Sequence, residues 1–136
     1  MFRDGKTDRK GFKLRGEWTE LLFMTSATDH GLRVIKPWGD SSRYDFVVET
    51  GGRFLRVQVK STSCRRGNIY VCTVDPRGQK PYTAADIDFF AIYVIPVDSW
   101  YIIPIEQSRA VINLTPHNSL SKNACYREAW HLLCGE

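Results

Sequence analysis

The sequence predicts an α+β protein, a central mixed β-sheet flanked by helices, on two observations. Helical runs stand near each end of the chain, and the strands between them follow one another through tight turns instead of alternating with helices. Consecutive hairpins of that kind argue against a parallel βαβ array.

Each element follows from local chemistry. Gly16 to about His30 reads as a largely buried helix, with Trp18, Leu21, Leu22, Phe23, Met24 and Ala27 apolar and Gly31 stopping it as a C-cap. Leu32–Lys36 is a short strand, and Pro37 to Ser42 is a loop of turn formers. Tyr44–Glu49 and Phe54–Ser61 are strands joined through Thr50-Gly51-Gly52, a hairpin signal because glycine takes the positive φ that tight turns require. Asn68–Thr73 is a further strand, and Pro76 to Pro81 breaks the chain. The aromatic and β-branched run Ile87–Ile95 turns at Asp98-Ser99 into Trp100–Ile105. Glu106–Val111 reads as a helical turn, Thr115–Ser119 as a loop, and Leu120–Cys134 as a closing helix. The apolar Tyr126, Trp130, Leu132 and Leu133 of that helix suit either core or a subunit interface.

A chain of 136 residues, 43% hydrophobic and 25% charged, has the makings of one self-folding domain and not of a disordered segment. With no apolar run of membrane length and a charged start, a cytoplasmic protein without a membrane partner is expected. Cys64, Cys72, Cys125 and Cys134 are scattered, and His30, His117 and His131 share no ligand spacing with them, so zinc chemistry is not indicated. The net charge of +4 is unevenly laid out: Arg3, Lys6, Arg9, Lys10, Lys13 and Arg15 crowd the first sixteen residues. Such a basic amino-terminal arm (residues 1–13) suits a polyanion, although a solvated terminus is often charged as well.

The residues with chemistry lie on the hairpin. In Leu55-Arg56-Val57-Gln58-Val59-Lys60 the period of two puts Leu55, Val57 and Val59 on one face and Arg56, Gln58 and Lys60 on the other. Cross-strand pairing brings Asp45 toward Gln58 and Lys60. An acid, an amide and an ammonium converging this way suit a hard cation, held by Asp45, the Gln58 carbonyl, a backbone carbonyl and waters, with phosphate completing the shell. Phosphodiester hydrolysis needs a deprotonated nucleophile and relief of charge on phosphorus, and Lys60 is placed to help. An ordinary polar strand face explains the same spacing. Glu17 and Glu20 fall, at helical spacing, among Leu21, Met24 and Ala27 and not on the Thr19 and Ser26 side. A carboxylate there needs a cation, either at such a site or in a plain ion pair between helix and sheet.

Taken together, G-E-W-T-E, K-P-W-G-D-S-S-R-Y-D-F-V-V-E, R-F-L-R-V-Q-V-K-S-T and Y-T-A-A-D-I-D-F-F-A-I-Y resemble segments of the PD-(D/E)XK endonucleases, especially the branch containing an intron-encoded homing endonuclease. Archaeal Holliday-junction resolvases are similar more distantly. The resemblance runs from about Gly16 to Ile105 and implies a single nuclease domain with a restriction-endonuclease-like core. It implies Asp45 as the metal-binding aspartate, Gln58 at the glutamate position, Lys60 as the lysine and Glu20 as the helix glutamate. The Val59 carbonyl is then a metal ligand, and Glu20 acts directly or through water. Two departures stand out: Ser42-Arg43-Tyr44 replaces the proline before the aspartate, and Gln58 replaces an acid, as in the homing branch.

The implied activity is homing- or restriction-type hydrolysis of DNA with Mg²⁺, for which Mn²⁺ substitutes, by a homodimer or homotetramer. Ser41, Arg43, Arg56, Ser61, Thr62, Arg65, Arg66, Arg77, Lys80 and Tyr82 are candidate DNA contacts. Asp86 and Asp88 suit turn caps better than metal ligands. A catalytically inactive DNA-binding module, or a nuclease selective for junctions, also accommodates these residues.

Overall fold

A computed structural model describes residues 1–3 and 11–134. Lys6, Arg9 and Lys10 of the basic arm therefore lie outside the described residues. Helix α1 (Gly11–Asp29) leads into β1 (Arg33–Ile35), β2 (Phe46–Thr50), β3 (Arg53–Thr62), β4 (Arg65–Arg66), β5 (Ile69–Thr73), β6 (Phe89–Val94), β7 (Ser99–Pro104) and β8 (Val111–Leu114). One sheet has the order β1-β2-β3-β6-β7 and the other β4-β5-β8. Every pairing is antiparallel except β3 with β6, so the large sheet is mixed and the α+β class holds.

The hairpin expected at Gly51-Gly52 forms as a two-residue turn, with φ of 53° and 77° at the glycines and Thr50 opposite Arg53. Both values are positive, the requirement of a turn matching the strand twist. Leu55, Val57 and Val59 face α1 in one hydrophobic cluster, together with Phe46, Val48, Phe23 and Ala27. A second cluster on the opposite face joins Phe90, Ile92 and Val94 of β6 to Tyr70 and Cys72 of β5 and Ile112 and Leu114 of β8. Strand β6 is buried on both faces, which explains its continuous apolar run.

Helix α1 ends as expected. Gly31 has φ 78°, its N–H donates to the Thr28 carbonyl, and the Leu32 N–H reaches back to Ala27 at 3.0 Å. This 6→1 closure also buries Leu32. The rotation of the helix, however, is not the expected one. Thr19, Phe23 and Ala27 face the sheet, while Leu21 and Met24 are 62% and 37% exposed. Apolar residues occur all around this helix, so their count did not define a face. Phe23 decides it by packing on Phe46, Trp100 and Trp130 at centroid distances of 5.3, 5.8 and 5.9 Å. Thr19 tolerates burial because its hydroxyl donates to the Arg15 carbonyl at 2.8 Å.

The closing helix does not form. Leu120–Cys134 instead contains two 3₁₀ turns, Ala124–Tyr126 and Trp130–Leu133. Glu128 between them has φ 50°, outside the helical region. Its carboxylate accepts from the Trp100 N–H at 2.8 Å and the Trp130 Nε1–H at 2.7 Å, bonds that hold this bend against the sheet. Trp130 and Leu133 are core residues of the α1 side, not an outer apolar face. Among the described residues α1 is the only α-helix, so the sheet is flanked by one helix and a second sheet. The expected turn at Glu106–Val111 is a 3₁₀ turn at Ile105–Gln107, and Val111–Leu114 forms β8 against β5.

Candidate active site

Strand β3 outruns β2, and the site lies where they part. The pairing of β2 stops at Phe46 opposite Val57, whereas β3 continues to Thr62 against β6 alone. Asp45 lies just before β2. Its N–H donates to the Val57 carbonyl at 2.9 Å, and its Oδ2 accepts from the Val59 N–H at 2.8 Å. A strand residue's N–H and C=O leave by the same edge, so the Val59 carbonyl opens toward Asp45 as well. The ladder ends at Phe46 opposite Val57, with Asp45 N–H turned onto the same Val57 carbonyl, and Gln58 and Lys60, two residues apart on one face of β3, line the same cavity as Asp45.

A cavity of about 340 Å³ occupies this fork. Asp45, Gln58, Val59, Lys60 and Ser61 form one wall, and Phe12, Arg15, Gly16, Thr19 and Glu20 of α1 form the other. Glu20 is half-buried there, while Glu17 is exposed. The expected apolar surroundings of Glu20 came from the wrong helix rotation. Its place is a cavity rim, where it pairs with Lys36 at 3.2 Å. Lys36 sits 4.9 Å over the Phe46 ring and with Asp45 borders an adjoining cavity of about 200 Å³.

Burial pushes the Asp45 carboxyl up to about 6, against the Val59 hydrogen bond, and the negative Glu20 adds to the rise. Lys60 and Lys36 pull the other way without cancelling it. The rise is thus chiefly the cost of taking the carboxylate out of water. The donors around it are all oxygens: the Asp45 and Glu20 carboxylates, the Gln58 amide and the Val59 carbonyl. That set fits a hard divalent cation, whose charge offsets the cost of burying ionised Asp45. Because Gln58 occupies one position, the set has only two acids, and among the described residues no group of three His, Cys, Asp or Glu suited to a metal occurs.

Lys60 Nζ lies 5.7 Å above the Tyr82 ring, and the Arg43 guanidinium packs on the same ring at 4.4 Å. Arg43 donates to Asp86 Oδ2 at 2.8 Å and to the Lys80 and Pro81 carbonyls, fastening the loop that carries Tyr82. Nearby, burial pushes the Cys72 thiol up to about 12, which leaves it unreactive.

The other residues singled out in the sequence divide clearly. Ser41, Arg65, Arg66, Arg77 and Lys80 are exposed. Arg56 is committed to Asp88, at 3.1 Å, and to the Ala84 and Ala85 carbonyls. Thr62 is buried, its hydroxyl donating to the Val71 carbonyl at 2.6 Å. Ser61 accepts from Arg15. Asp86 caps the turn at Thr83 and Asp88 holds Arg56, so both acids serve the fold. Two residues of the cavity region went unnoticed as such in the sequence. In the sequence Lys36 ends a strand without a visible partner, and Arg15 is one of six cations crowding the first sixteen residues. The one available signal was that Arg15 lies one helical turn before Thr19 and Glu20.

The family model for PD-(D/E)XK endonucleases matches residues 11–133. The chain is also similar to the solved bacterial homing endonuclease I-Ssp6803I, at 31% identity and a TM-score of 0.74, over 90% of this chain and 92% of that one. A Holliday junction resolvase, Hjc of Archaeoglobus fulgidus, shares 14% identity with a TM-score of 0.46, over 74% of this chain and 84% of that one. No curated protein sequence matches significantly. The family match spans the whole described helix, both sheets and the fork between β2 and β3, and on it the chain belongs to the PD-(D/E)XK endonucleases, a family of metal-dependent nucleases.

Proposed function

We propose that the chain is a Mg²⁺-dependent endodeoxyribonuclease of the homing type, acting in the cytoplasm, with Asp45, Gln58, Lys60 and Glu20 as its catalytic residues. The observation that carries this reading is the fork at which β3 leaves β2, where oxygen donors and an ammonium share one cavity. Asp45, Gln58 and the Val59 carbonyl hold the cation, with Glu20 as a further ligand directly or through water. The cation, when bound, supplies electrostatic stabilisation of the charge that develops on the phosphate oxygens. Lys60 orients and activates the attacking water, its Nζ steadied by the Tyr82 ring. Gln58 keeps a carbonyl ligand but contributes no charge, so binding of the cation leans more on Asp45 and Glu20.

Around the cavity, Ser41, Arg43, Ser61, Arg65, Arg66, Lys80 and Tyr82 form the DNA-facing surface. Thr62 and Arg56 support it from beneath through the bonds described above. The likeness to a homing endonuclease over nearly the full length supports the homing type over a junction-selective one. Nucleases that cut both strands often pair protomers so that each strand meets one site, and the proposed working unit is a homodimer or homotetramer. The test compares plasmid, linear and four-way-junction DNA with Mg²⁺, Mn²⁺ or chelator. Metal-dependent cutting of duplex is expected. Strong preference for the junction would make the enzyme structure-selective, and binding without cutting on a broad DNA panel would overturn the proposal.

A further inference from the structure

Arg15 is the cation that α1 contributes to the cavity wall. It is half-buried on α1 and lines the cavity beside Glu20. Its Nε donates to Ser61 Oγ at 3.1 Å and its Nη2 to the Ser61 carbonyl at 3.3 Å. The Phe12 ring lies 5.8 Å from its guanidinium carbon. Among the described residues, no carboxylate comes within ion-pair distance of it. The two nearby acids are already engaged: Glu20 with Lys36 and Asp45 with the Val59 N–H.

A guanidinium that is partly desolvated, fixed in orientation and, among the described residues, answered only by neutral groups is placed to take an anion. Tying a helix to a strand needs no positive charge, since a neutral donor would bond Ser61 equally well. Two of the five guanidinium N–H groups meet Ser61, and the fork geometry of the remainder matches the paired oxygens of a phosphodiester. The charge balance agrees. The floor of the cavity carries the neutral Gln58, and Lys36 pairs with Glu20, so that among the described residues lining the cavity Lys60 and Arg15 face Asp45 alone.

We propose that Arg15 binds a phosphate of the nucleic acid backbone inside the cavity, through the guanidinium N–H groups that Ser61 leaves open. The assignment rests on the cavity being the nuclease site. It makes α1 a substrate-binding element as well as a structural one, with Ser61 as the residue that aims the guanidinium.

The test measures binding of a short DNA duplex in chelator over a series of NaCl concentrations, for wild type, Arg15→Gln and Arg15→Lys, with thermal melting of each. Arg15→Gln should weaken binding about tenfold. It should also lower the slope of log K against log [salt] by about 0.9, the loss of one phosphate contact. Arg15→Lys should keep the wild-type slope while binding somewhat less tightly, because the charge remains and the fork is lost. A wild-type slope in Arg15→Gln, however far its melting temperature falls, would overturn the assignment and reduce Arg15 to a tie between helix and strand. Cleavage with Mg²⁺ separates the two readings. A reduced slope in a protein whose wild type cuts no DNA leaves Arg15 as a phosphate ligand and removes the nuclease reading, whereas cutting with an unchanged slope removes Arg15 alone.

Discussion

Asp45 is the residue on which stability and chemistry pull in opposite directions. Its carboxyl titrates at about 6 in the folded protein because burial penalises the anion. Between its ordinary value near 3.8 and about 6, the metal-free fold keeps a proton that the unfolded chain has released. Stability from this group is therefore present below that window and lost as pH rises through it, at most about 3 kcal/mol. Asp45→Asn should accordingly melt higher than wild type at about pH 8, with the gap closing below about pH 4, as scanning calorimetry in chelator would show. Adding Mg²⁺ should raise the melting temperature of wild type and leave Asp45→Asn unmoved. Lys60→Ala should abolish cutting while gel-shift binding persists, since its Nζ neighbours a ring and no structural carboxylate. Wild-type cutting by that variant would exclude Lys60 from catalysis. The meeting of Asp45, Gln58 and Lys60 at one cavity was legible in the sequence, because a strand's period of two puts Gln58 and Lys60 on one face and the glycine turn folds Asp45 back alongside them. Arg15 was not legible, because its meaning depends on the helix's rotation against the sheet.

At the scale of elements, the docking of α1 decides whether Glu20 and Arg15 reach β3 at all. Phe23 fixes that docking by filling a pocket among Phe46, Trp100 and Trp130. Phe23→Ala should cost about 3 to 5 kcal/mol in urea unfolding, while Leu21→Ala on the exposed side should stay within about 0.5 kcal/mol. The reverse ranking would mean that the helix is turned as its apolar residues alone suggested. Arg56 makes a similar point for the loop after β5. Removing it strands a partly buried Asp88, so Arg56→Ala should destabilise by about 1 to 3 kcal/mol yet keep the wild-type salt slope of DNA binding. A reduced slope would return Arg56 to the DNA surface. The β2–β3 hairpin and most strands could be read from turn chemistry and alternation. The closing helix could not be excluded that way, because what breaks it is Glu128, bent to meet the distant Trp100 of β7 as well as its near neighbour Trp130.

At the scale of the whole molecule, the mixed sheet makes the site. Strand β2 is five residues long and β3 ten, so one edge of β3 runs on past its partner. Here the parallel neighbour β6 supports β3 from Val57 to Thr62, so β2 can part from it and leave Val59 facing the Asp45 carboxylate. The α+β class was readable from the order of elements. The parallel pairing of β3 with β6 was not, since the two strands are brought together across more than twenty intervening residues. At the fork one strand supplies an amide, a carbonyl and an ammonium in three consecutive positions. The most direct test of this account is the cleavage rate of plasmid DNA with Mg²⁺ for wild type and Asp45→Ala, at protein concentrations that bind the DNA equally. The account predicts cutting by wild type that chelator stops and no cutting by the variant; cutting that survives either change would contradict it.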